Sequence, residues 1–367
     1  MKKRLLVAAG MAALFAAGGA LAQQKLKFAH VYETSEPYHT AAVWAAGEIA
    51  KRTANRYTME VFPASSLGKE TDINQGLTLG TVDIIYTGQL FAGRSYGPIS
   101  IGGAPFVFRD FEHWKKFSTS KLFGELADGY AKGSGGNKVV AITYYGDRQT
   151  TSNKALNKPE DMKGLKIRVP DAPLYTLFPR AVGANPTPIA FAEVYLALQN
   201  KTVDAQENPL PTIDAKKFYE VQSHINLTAH ITDALLTIVG APLWAKLSDA
   251  DKKTFGDVFR EAAGRASGEI VDAEKRLVGE FEKRGKTVVR VDRKPFIAAV
   301  QKYYKEGKQP DGSALPWSKD VYDKLQAITE PACAQRAVAV GSRRFHFGAP
   351  RGHEAWRLTF PIRTWAG

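Results

Sequence analysis

The sequence predicts an α/β protein with a mixed, mainly parallel sheet flanked by helices, in two domains. Strand-like and helix-like segments alternate from residue 25 onward, which is typical of this fold class. The chain has 367 residues, more than one ordinary core accommodates. Its composition, 44% hydrophobic and 24% charged, is that of a soluble globular protein.

The first 22 residues resemble a secretory signal peptide. A basic start (KKR, 2–4) precedes an apolar run from Leu5 to Ala17, and small residues end the segment at Ala22. The alternative is a membrane anchor, but the run is shorter than the ~20 residues that span a bilayer. We therefore predict cleavage near Ala22 and a mature protein outside the cytoplasmic membrane.

The segments after the signal peptide predict a β-α-β-α-β beginning. We expect strands at 25–30, 57–62 and 81–86, with helices at 40–54 and 65–79 between them. Later strands are expected at 138–145, within 161–170, at 203–207 and at 286–291. Later helices are expected at 174–182, at 191–199, at 248–284 with Ser248 as N-cap, and in two pieces up to Ile328.

Charge and cysteine usage exclude several classes of function. The net charge of +13 is concentrated in the first four residues and in six arginines beyond Pro331, and the body of the chain has no basic cluster. We therefore expect no nucleic-acid partner. The single cysteine, Cys333, forms no intramolecular disulfide and supplies no cysteine-rich metal site. We expect no metal and no cofactor.

Two arginines, Arg148 and Arg168, are the leading candidates for a binding site. In the strand within 161–170, alternate apolar residues share one face, so Arg168 lies on the other face near the strand's end. Ligands of α/β sheets bind at such carboxyl ends. A guanidinium stays charged, and its planar fork matches a carboxylate. The sequence therefore predicts an organic acid as ligand, although a solvated salt bridge is the alternative reading of Arg168 alone.

Catalytic patterns receive little support. The chain has no His-Glu-x-x-His, Cys-x-x-Cys or Gly-x-Ser-x-Gly motif. His30, at the end of the first strand, either faces a ligand or makes a local hydrogen bond. A secreted hydrolase that uses Asp171 or Glu207 as acid or base is the alternative from another class, and the sequence offers no paired group for it.

Four segments in order give the chain a resemblance to a known family. They are GDRQTTSN (146–153), DMKGLKIRVP (161–170), ANPTPIAFAEVYLALQ (184–199) and VDAQENPL (203–210). Together they resemble the extracytoplasmic solute-binding proteins of TRAP transporters, the DctP type, and look closest to the sialic-acid-binding branch. The similarity runs from about Lys25 to about Ile328.

This resemblance implies a two-lobed periplasmic binding protein, type II-like, whose lobes are joined by hinge strands and a long helix. The implied segments are a signal peptide at 1–22, one lobe mainly at 23–146, the other mainly at 147–235, returning segments with the long helix at 236–330, and an atypical tail at 331–367. It further implies a monomeric receptor, not an enzyme, whose partners are a small carboxylate and membrane permease subunits. A ligand-sensing role is the alternative to transport.

The resemblance also implies site residues. Arg168 matches the family's carboxylate-binding arginine, Arg148 a second arginine, Asn208 an amide at the carboxylate, and Phe191 an aromatic wall. Asp171 falls where the sialic-acid branch has an asparagine.

The chain departs from that branch at two positions. It has Val31, next to His30, where the branch has an asparagine, and Gly88, followed by Gln89, where it has a glutamate. His30 and Gln89 are accordingly added to the candidate ligand contacts. We expect an organic acid other than sialic acid, with sialic acid as the alternative.

Overall fold

A computed structural model of the protein describes residues 23–328. The predicted signal peptide and the predicted tail therefore lie outside the described residues. Within residues 23–328, none of the helices combines the length and the apolar character that crossing a bilayer requires.

The described strands form one mixed sheet. They are β1 (Gln24–Ala29), β2 (Tyr57–Phe62), β3 (Ile84–Gly88), β4 (Lys138–Ser152), β5 (Lys166–Val169), β6 (Asn185–Pro188), β7 (Ala205–Pro209), β8 (His224–Val239) and β9 (Thr287–Val289). Their order is β2-β1-β3-β8-β4-β7-β5-β6, and β9 pairs with β8. The outer strands pair in parallel, whereas the pairs β3/β8, β8/β4 and β4/β7 are antiparallel.

Two long strands connect the ends of this sheet. β4 pairs with β8 along almost its whole length, and its last residues also pair with β7. β8 in turn pairs with β3 at its carboxyl end. We call β1, β2 and β3 the first half of the sheet and β5, β6 and β7 the second half. The described residues group into a single unit, so the limits of the two lobes stay a prediction.

Helices cover both halves. They are α1 (Pro37–Arg52), α2 (Glu70–Leu79), α3 (Gln89–Ala92), α4 (Phe111–Ser118), α5 (Lys121–Gly133), α6 (Leu177–Ala181), α7 (Val194–Gln199), α8 (Leu210–Ala215), α9 (Phe218–Val221), α10 (Ala241–Trp244), α11 (Asp249–Lys283), α12 (Arg293–Glu306) and α13 (Lys319–Gln326). Short 3₁₀ turns stand at Gly97–Gly103, Pro159–Met162, Pro173–Thr176 and Phe191–Glu193.

The predicted β-α-β-α-β beginning is confirmed. β1, α1, β2, α2 and β3 follow one another, and β1 pairs in parallel with both β2 and β3. The predicted long helix is α11, and the Ser248 hydroxyl caps it by accepting from the Asp251 N–H. The sequence pattern did not predict β8, and it predicted the end of β4 at residue 145, seven residues early.

The long helix α11 packs along α1, β4 and α8, so it contacts elements that belong to both halves. Most buried apolar residues form one large cluster. A second, smaller cluster lies around α7, α8 and the end of α11, where Leu277 and Phe281 are its contribution from the long helix. The long helix therefore contributes to both cores.

The register of β4 against β8 shifts where β4 passes from the first half to the second. One shift falls between Tyr144 and Gly146, and Gly146 has a φ of +114°. A Cβ added to Gly146 would lie 2.8 Å from the Pro209 Cβ and 2.9 Å from Glu274 Oε1. Only glycine fits this bend, because a side chain would clash and the left-handed backbone disfavours other residues.

Candidate functional site

A cavity lies between the two halves of the sheet. Its wall combines residues after β1, at the start of α2 and after β3 with residues of β4, β5, β7 and β8 and of the segments after β5 and β6. The lining residues are Val31, Tyr32, Lys69, Glu70, Thr71, Phe91, Tyr145, Arg148, Arg168, Pro170, Asp171, Tyr175, Ala190, Phe191, Asn208 and Leu235. The cavity is thus aromatic, with two arginines and a few polar groups converging on it.

Arg168 is buried in β5, and no carboxylate among the described residues pairs with it. Only 1% of the residue is exposed. Its Nε and Nη2 donate to the Ile189 carbonyl at 2.9 and 2.7 Å, whereas Nη1 is buried with no hydrogen-bond partner among the described residues. Burial lowers the pKa of Arg168 to about 10, against the opposing charge of Glu207. The guanidinium is therefore a buried cation with one unsatisfied donor at the cavity.

Arg148 is equally buried but is surrounded by carboxylates. Its Nε and Nη2 donate to the two carboxylate oxygens of Glu207, and Nη1 donates to Asp233 Oδ2 at 2.9 Å. Nη2 also reaches Asn208 Oδ1 at 3.2 Å. Burial alone would lower the pKa of Arg148, but Glu207 and Asp233 raise it well above its ordinary value. Every nitrogen of this guanidinium already has an acceptor.

A buried histidine completes this charge network. His230 Nε2 lies 3.1 Å from Glu207 Oε2, and the His230 ring stacks on Phe178 with centroids 4.2 Å apart. Burial lowers the pKa of His230 despite the neighbouring carboxylate. Burial also opposes the charge on Glu207, yet Arg148 keeps the pKa of that carboxyl below its ordinary value. We conclude that Glu207 is ionised to pair with Arg148, so it has no free role as an acid.

Asn208 follows in β7 and joins the network to the cavity. Its Oδ1 accepts from Arg148 Nη2 and from the Tyr145 hydroxyl at 3.3 Å, and its Nδ2 donates to Gln206 Oε1 at 2.6 Å. Only 2% of Asn208 is exposed. These bonds fix the orientation of the amide.

Phe191 and Asp171 also line the cavity, in different surroundings. The Phe191 ring centroid lies 5.9 Å from the Arg168 guanidinium carbon and 5.2 Å from Lys216 Nζ, so it stands between two cations. Asp171 is half exposed, with its carbonyl accepting from Arg94 Nη2 at 2.6 Å. Asp171 therefore lies at the rim.

His30 and Gln89 are not among the residues that line the cavity. His30 is 1% exposed, accepts from the Tyr32 N–H through Nδ1, and has Nε2 3.2 Å from His39 Nδ1. Burial lowers the pKa of His30 to about 3, so the ring is neutral. Gln89 is fully buried and donates to the Gly102 carbonyl at 3.0 Å. Because both side chains are buried and absent from the cavity wall, the structure does not bring them to the site, and their contact with a ligand stays a prediction.

Sequence reasoning missed the polar residues that the first half contributes. Glu70 begins α2, and its Oε1 accepts from the Gly88 N–H and the Thr87 hydroxyl, both at 2.9 Å. Burial raises the pKa of Glu70 to about 7 against these bonds. Tyr32 and Tyr175 complete the wall. The available signal for Glu70 was its place at a helix start, directly after the turn at Gly68.

The described part of the chain contains no group of three or more His, Cys, Asp or Glu side chains that could hold a metal ion. What it does contain is a cation with a free donor, an ordered amide and several hydroxyls around one enclosed space. Chemically, this arrangement can hold an anion and hydrogen-bond to the remainder of the molecule that carries it.

A family model described as bacterial extracellular solute-binding protein, family 7 (DctP) matches residues 28–309. The solute-binding protein RD1_1052 of Roseobacter denitrificans is 34% identical over 298 residues, 81% of this chain and 91% of that protein. The sialic acid-binding periplasmic protein SiaP of Vibrio cholerae is also 34% identical, over 293 residues, 80% of this chain and 91% of SiaP.

Solved structures agree with this match. A TRAP periplasmic solute-binding protein of Polaromonas sp. JS666, bound to D-erythronate, has a TM-score of 0.78 at 31% identity and covers 84% of this chain and 100% of that one. The structure of RD1_1052 with bound L-galactonate has a TM-score of 0.76 at 30% identity and covers 83% of this chain and 98% of that one.

Proposed function

The chain belongs to bacterial extracellular solute-binding protein family 7, a family of receptors rather than enzymes, and from this premise we propose its ligand and its partner. It captures the anion of a small hydroxylated organic acid in the cavity at Arg168. It then delivers this anion to the membrane permease subunits of a TRAP-type secondary transporter. The single observation that carries the proposal is the buried Arg168 Nη1, which has no partner among the described residues.

A carboxylate is the group that this donor fits. An arginine cannot lose its proton at physiological pH, so a buried guanidinium without an anion is unfavourable until one arrives. Phe191 leaves one face of the Arg168 guanidinium against an aromatic ring. We infer that the ligand's carboxylate takes the Nη1 position, with the Asn208 amide beside it.

The opposite wall of the cavity favours hydroxyl groups on the ligand. Glu70 offers a carboxyl whose Oε2 makes no hydrogen bond within the described residues, and Tyr32 and Tyr175 offer phenol groups. A second carboxylate at this end would meet Glu70, whereas a hydroxyl donates to it. The relatives from Polaromonas and Roseobacter hold D-erythronate and L-galactonate, which are hydroxy acids with one carboxylate each.

Sialic acid is the alternative ligand. SiaP and RD1_1052 are equally similar to this chain at 34% identity, so similarity favours neither sialic acid nor a sugar acid. The cavity wall carries Val31 where a sialic-acid binder has an asparagine. We propose the smaller hydroxy acid because an apolar side chain at this place leaves a sugar substituent without a polar contact.

Ligand capture requires that the two halves close on the same molecule. The first half contributes Glu70 and Tyr32, and the second contributes Arg168. Lys216, after α8, pairs with Glu33, after β1, with a separation of 2.7 Å between the charged atoms. A ligand that contacts both halves binds the closed form better than the open one, and this difference drives closure.

Calorimetric titration of protein freed of any co-purified ligand tests the proposal. L-galactonate and D-erythronate should bind, and the uncharged lactone of L-galactonate should not, because it has no carboxylate for Arg168. Titration with sialic acid in the same experiment tests the alternative ligand. Equal binding of the lactone and the acid would show that the carboxylate is not recognised. Chemical conversion of a bound acid would contradict a function as a receptor.

A further inference from the structure

Glu36 is a buried carboxyl outside the cavity wall. It precedes α1 in the first half of the sheet, and 1% of the residue is exposed. Its Oε1 accepts from the Glu33 N–H at 2.8 Å. Its Oε2 lies 2.7 Å from the hydroxyl of Thr212 in α8, which follows β7 in the second half. One carboxyl therefore joins elements that belong to the two halves.

The Thr212 hydroxyl continues this contact toward the ligand site. Thr212 Oγ1 is 3.2 Å from the Tyr145 hydroxyl, which in turn donates to Asn208 Oδ1 at 3.3 Å. Thr212 is fully buried, and both Tyr145 and Asn208 line the cavity. The sequence Glu36, Thr212, Tyr145, Asn208 is a buried row of hydrogen-bonding groups, which we call the relay.

We propose that Glu36 is a positioning residue for the ligand: in its neutral form it directs the hydrogen bonds of the relay so that the Asn208 amide is held for an anion. This inference rests on the function proposed above. It extends that function to a residue that does not touch the ligand.

The protonation state of Glu36 decides in which direction the hydroxyl groups of the relay donate their hydrogen bonds. The Thr212 hydroxyl has one proton, and it lies within hydrogen-bond distance of a Glu36 carboxyl oxygen and of the Tyr145 hydroxyl. When Glu36 is neutral, its carboxyl O–H donates to Thr212 Oγ1, Thr212 donates to the Tyr145 hydroxyl, and Tyr145 donates to Asn208 Oδ1. Every oxygen of the relay then faces a proton, and the bonds support one another.

Ionisation of Glu36 reverses the first bond. The carboxylate accepts a hydrogen bond from the Thr212 hydroxyl, so Thr212 no longer donates to Tyr145, and only the Tyr145 proton lies between the Thr212 and Tyr145 oxygens. Asn208 Oδ1 then competes with Thr212 Oγ1 for the Tyr145 proton, and the only donor that it retains in both arrangements is Arg148 Nη2.

Glu36 titrates in the range where this reversal matters. Burial raises the pKa of Glu36 to about 7, opposed by the hydrogen bonds from Thr212 and the Glu33 N–H. The titratable and charged groups that face it are Glu33 from its own loop, Tyr38 from α1, Tyr145 from β4 and Lys216 after α8. Glu33 and Lys216 pair with each other, so their charges offset at Glu36.

Binding of L-galactonate and D-erythronate by the wild type and by Glu36→Gln, from about pH 5 to about pH 8.5, tests the inference. Glutamine reproduces the neutral carboxyl, because its oxygen accepts from Glu33 and its amide donates to Thr212. The wild type should lose about three- to tenfold more affinity over this range than the variant, as expected for one buried hydrogen bond. Parallel pH profiles would overturn the role of Glu36. The comparison is needed because Glu70, in the cavity wall, also has a pKa of about 7.

Thr212 supplies the matched pair of controls. Thr212→Val interrupts the relay and should abolish the difference between proteins with and without the Glu36→Gln substitution, whereas Thr212→Ser keeps the hydroxyl and should preserve it. A difference that persists with valine would mean that Glu36 acts through its charge alone, and this would overturn the relay.

A cycle without ligand separates this inference from the proposed function. Glu36→Gln and Tyr145→Phe are combined, and the free energy of unfolding in urea is measured at about pH 8. The two substitutions should be coupled with Thr212 in place and additive with Thr212→Val. Additivity in both backgrounds would contradict the relay. Coupling in a protein that binds neither acid would instead leave the relay standing and contradict the proposed function.

Discussion

The two buried arginines of the cavity differ in what surrounds them. Arg148 and Arg168 are exposed to 2% and 1%, and both line the same space. Arg148 faces Glu207 and Asp233, which raise its pKa, whereas burial lowers the pKa of Arg168 to about 10. Among the described residues, the second arginine has a backbone carbonyl and a free Nη1 where the first has two carboxylates.

This difference assigns separate tasks to one residue type. A buried cation with carboxylate partners belongs to the fold, because removing it leaves those carboxylates unpaired. A buried cation without an anion costs stability until a ligand supplies one. Arg148 accordingly holds β4, β7 and β8 together, and Arg168 is the one proposed to bind.

Arg148→Met should give the largest effect on folding. Glu207 and Asp233 would lose their cation in a buried place, so the free energy of unfolding should fall by about 3–5 kcal/mol. Urea unfolding measures the change. Arg180→Met is the control, since Arg180 pairs with Asp311 on the surface and should change stability by less than about 1 kcal/mol. A loss under about 1 kcal/mol for Arg148→Met would mean that Arg148, like Arg168, is not needed for the stability of the fold.

Arg168→Met should mainly affect binding. Its loss should lower the affinity for L-galactonate at least about thirtyfold, the lower end of the ~2–5 kcal/mol that a buried charge partner is worth. Without ligand, the free energy of unfolding should stay the same or rise, because the variant removes an uncompensated cation. Calorimetric titration and urea unfolding on the same samples check both. Arg168→Lys, which keeps the charge and loses the fork, should recover only part of the affinity; unchanged binding by Arg168→Met would exclude it from the site.

Glu70→Gln sharpens the comparison at the other end of the ligand. It replaces the acceptor oxygen that faces the cavity by an amide donor, so affinity for D-erythronate should fall about three- to tenfold, the effect of one hydrogen bond. Succinate, which lacks hydroxyl groups, is the matched probe and should not lose affinity. Equal losses for both acids in calorimetric titration would mean that Glu70 does not recognise a hydroxyl.

Arg94→Ala should have the smallest effect. Arg94 pairs with Asp171 at the cavity rim, with a separation of 3.5 Å and about half of each side chain exposed. Solvent screens such a pair, so stability and L-galactonate affinity should each change by less than about 1 kcal/mol. Dissociation rates from stopped-flow fluorescence are the sensitive measurement. An affinity loss as large as that of Arg168→Met would mean that the rim, rather than the buried guanidinium, controls binding.

The sequence predicted the parallel start of the sheet and the long helix because their patterns are local. Alternating apolar residues define β1 and β2, and Ser248 marks the start of α11. It missed β8 because that strand is buried through most of its length and carries polar residues such as Asn226, Thr228 and Asp233, so it shows no alternation. β8 is a strand because it pairs with β4, and this pairing joins segments that are far apart in the sequence.

The cavity was predictable in part for the same reason. Strand position and resemblance pointed to Arg168 and Phe191, but they also pointed to His30 and Gln89, which lie in the core. Adjacency to a strand's end gives the location of a backbone, whereas the direction of a side chain depends on the elements packed around it. Glu70 was not predicted because it lies at the start of α2, beside the first half of the sheet, whereas Arg168 lies in the second half.

By itself, the sequence determined an α/β chain with an arginine near the end of a parallel strand, because hydrophobic periodicity and residue chemistry are properties of short segments. Tertiary structure alone decided which arginine keeps a free donor. Glu207, Asp233 and Arg148 come from three strands that meet only in the folded sheet, and they pair only there. Arg168 differs because the described fold pairs no carboxylate with it, and no pattern in its own strand encodes that absence.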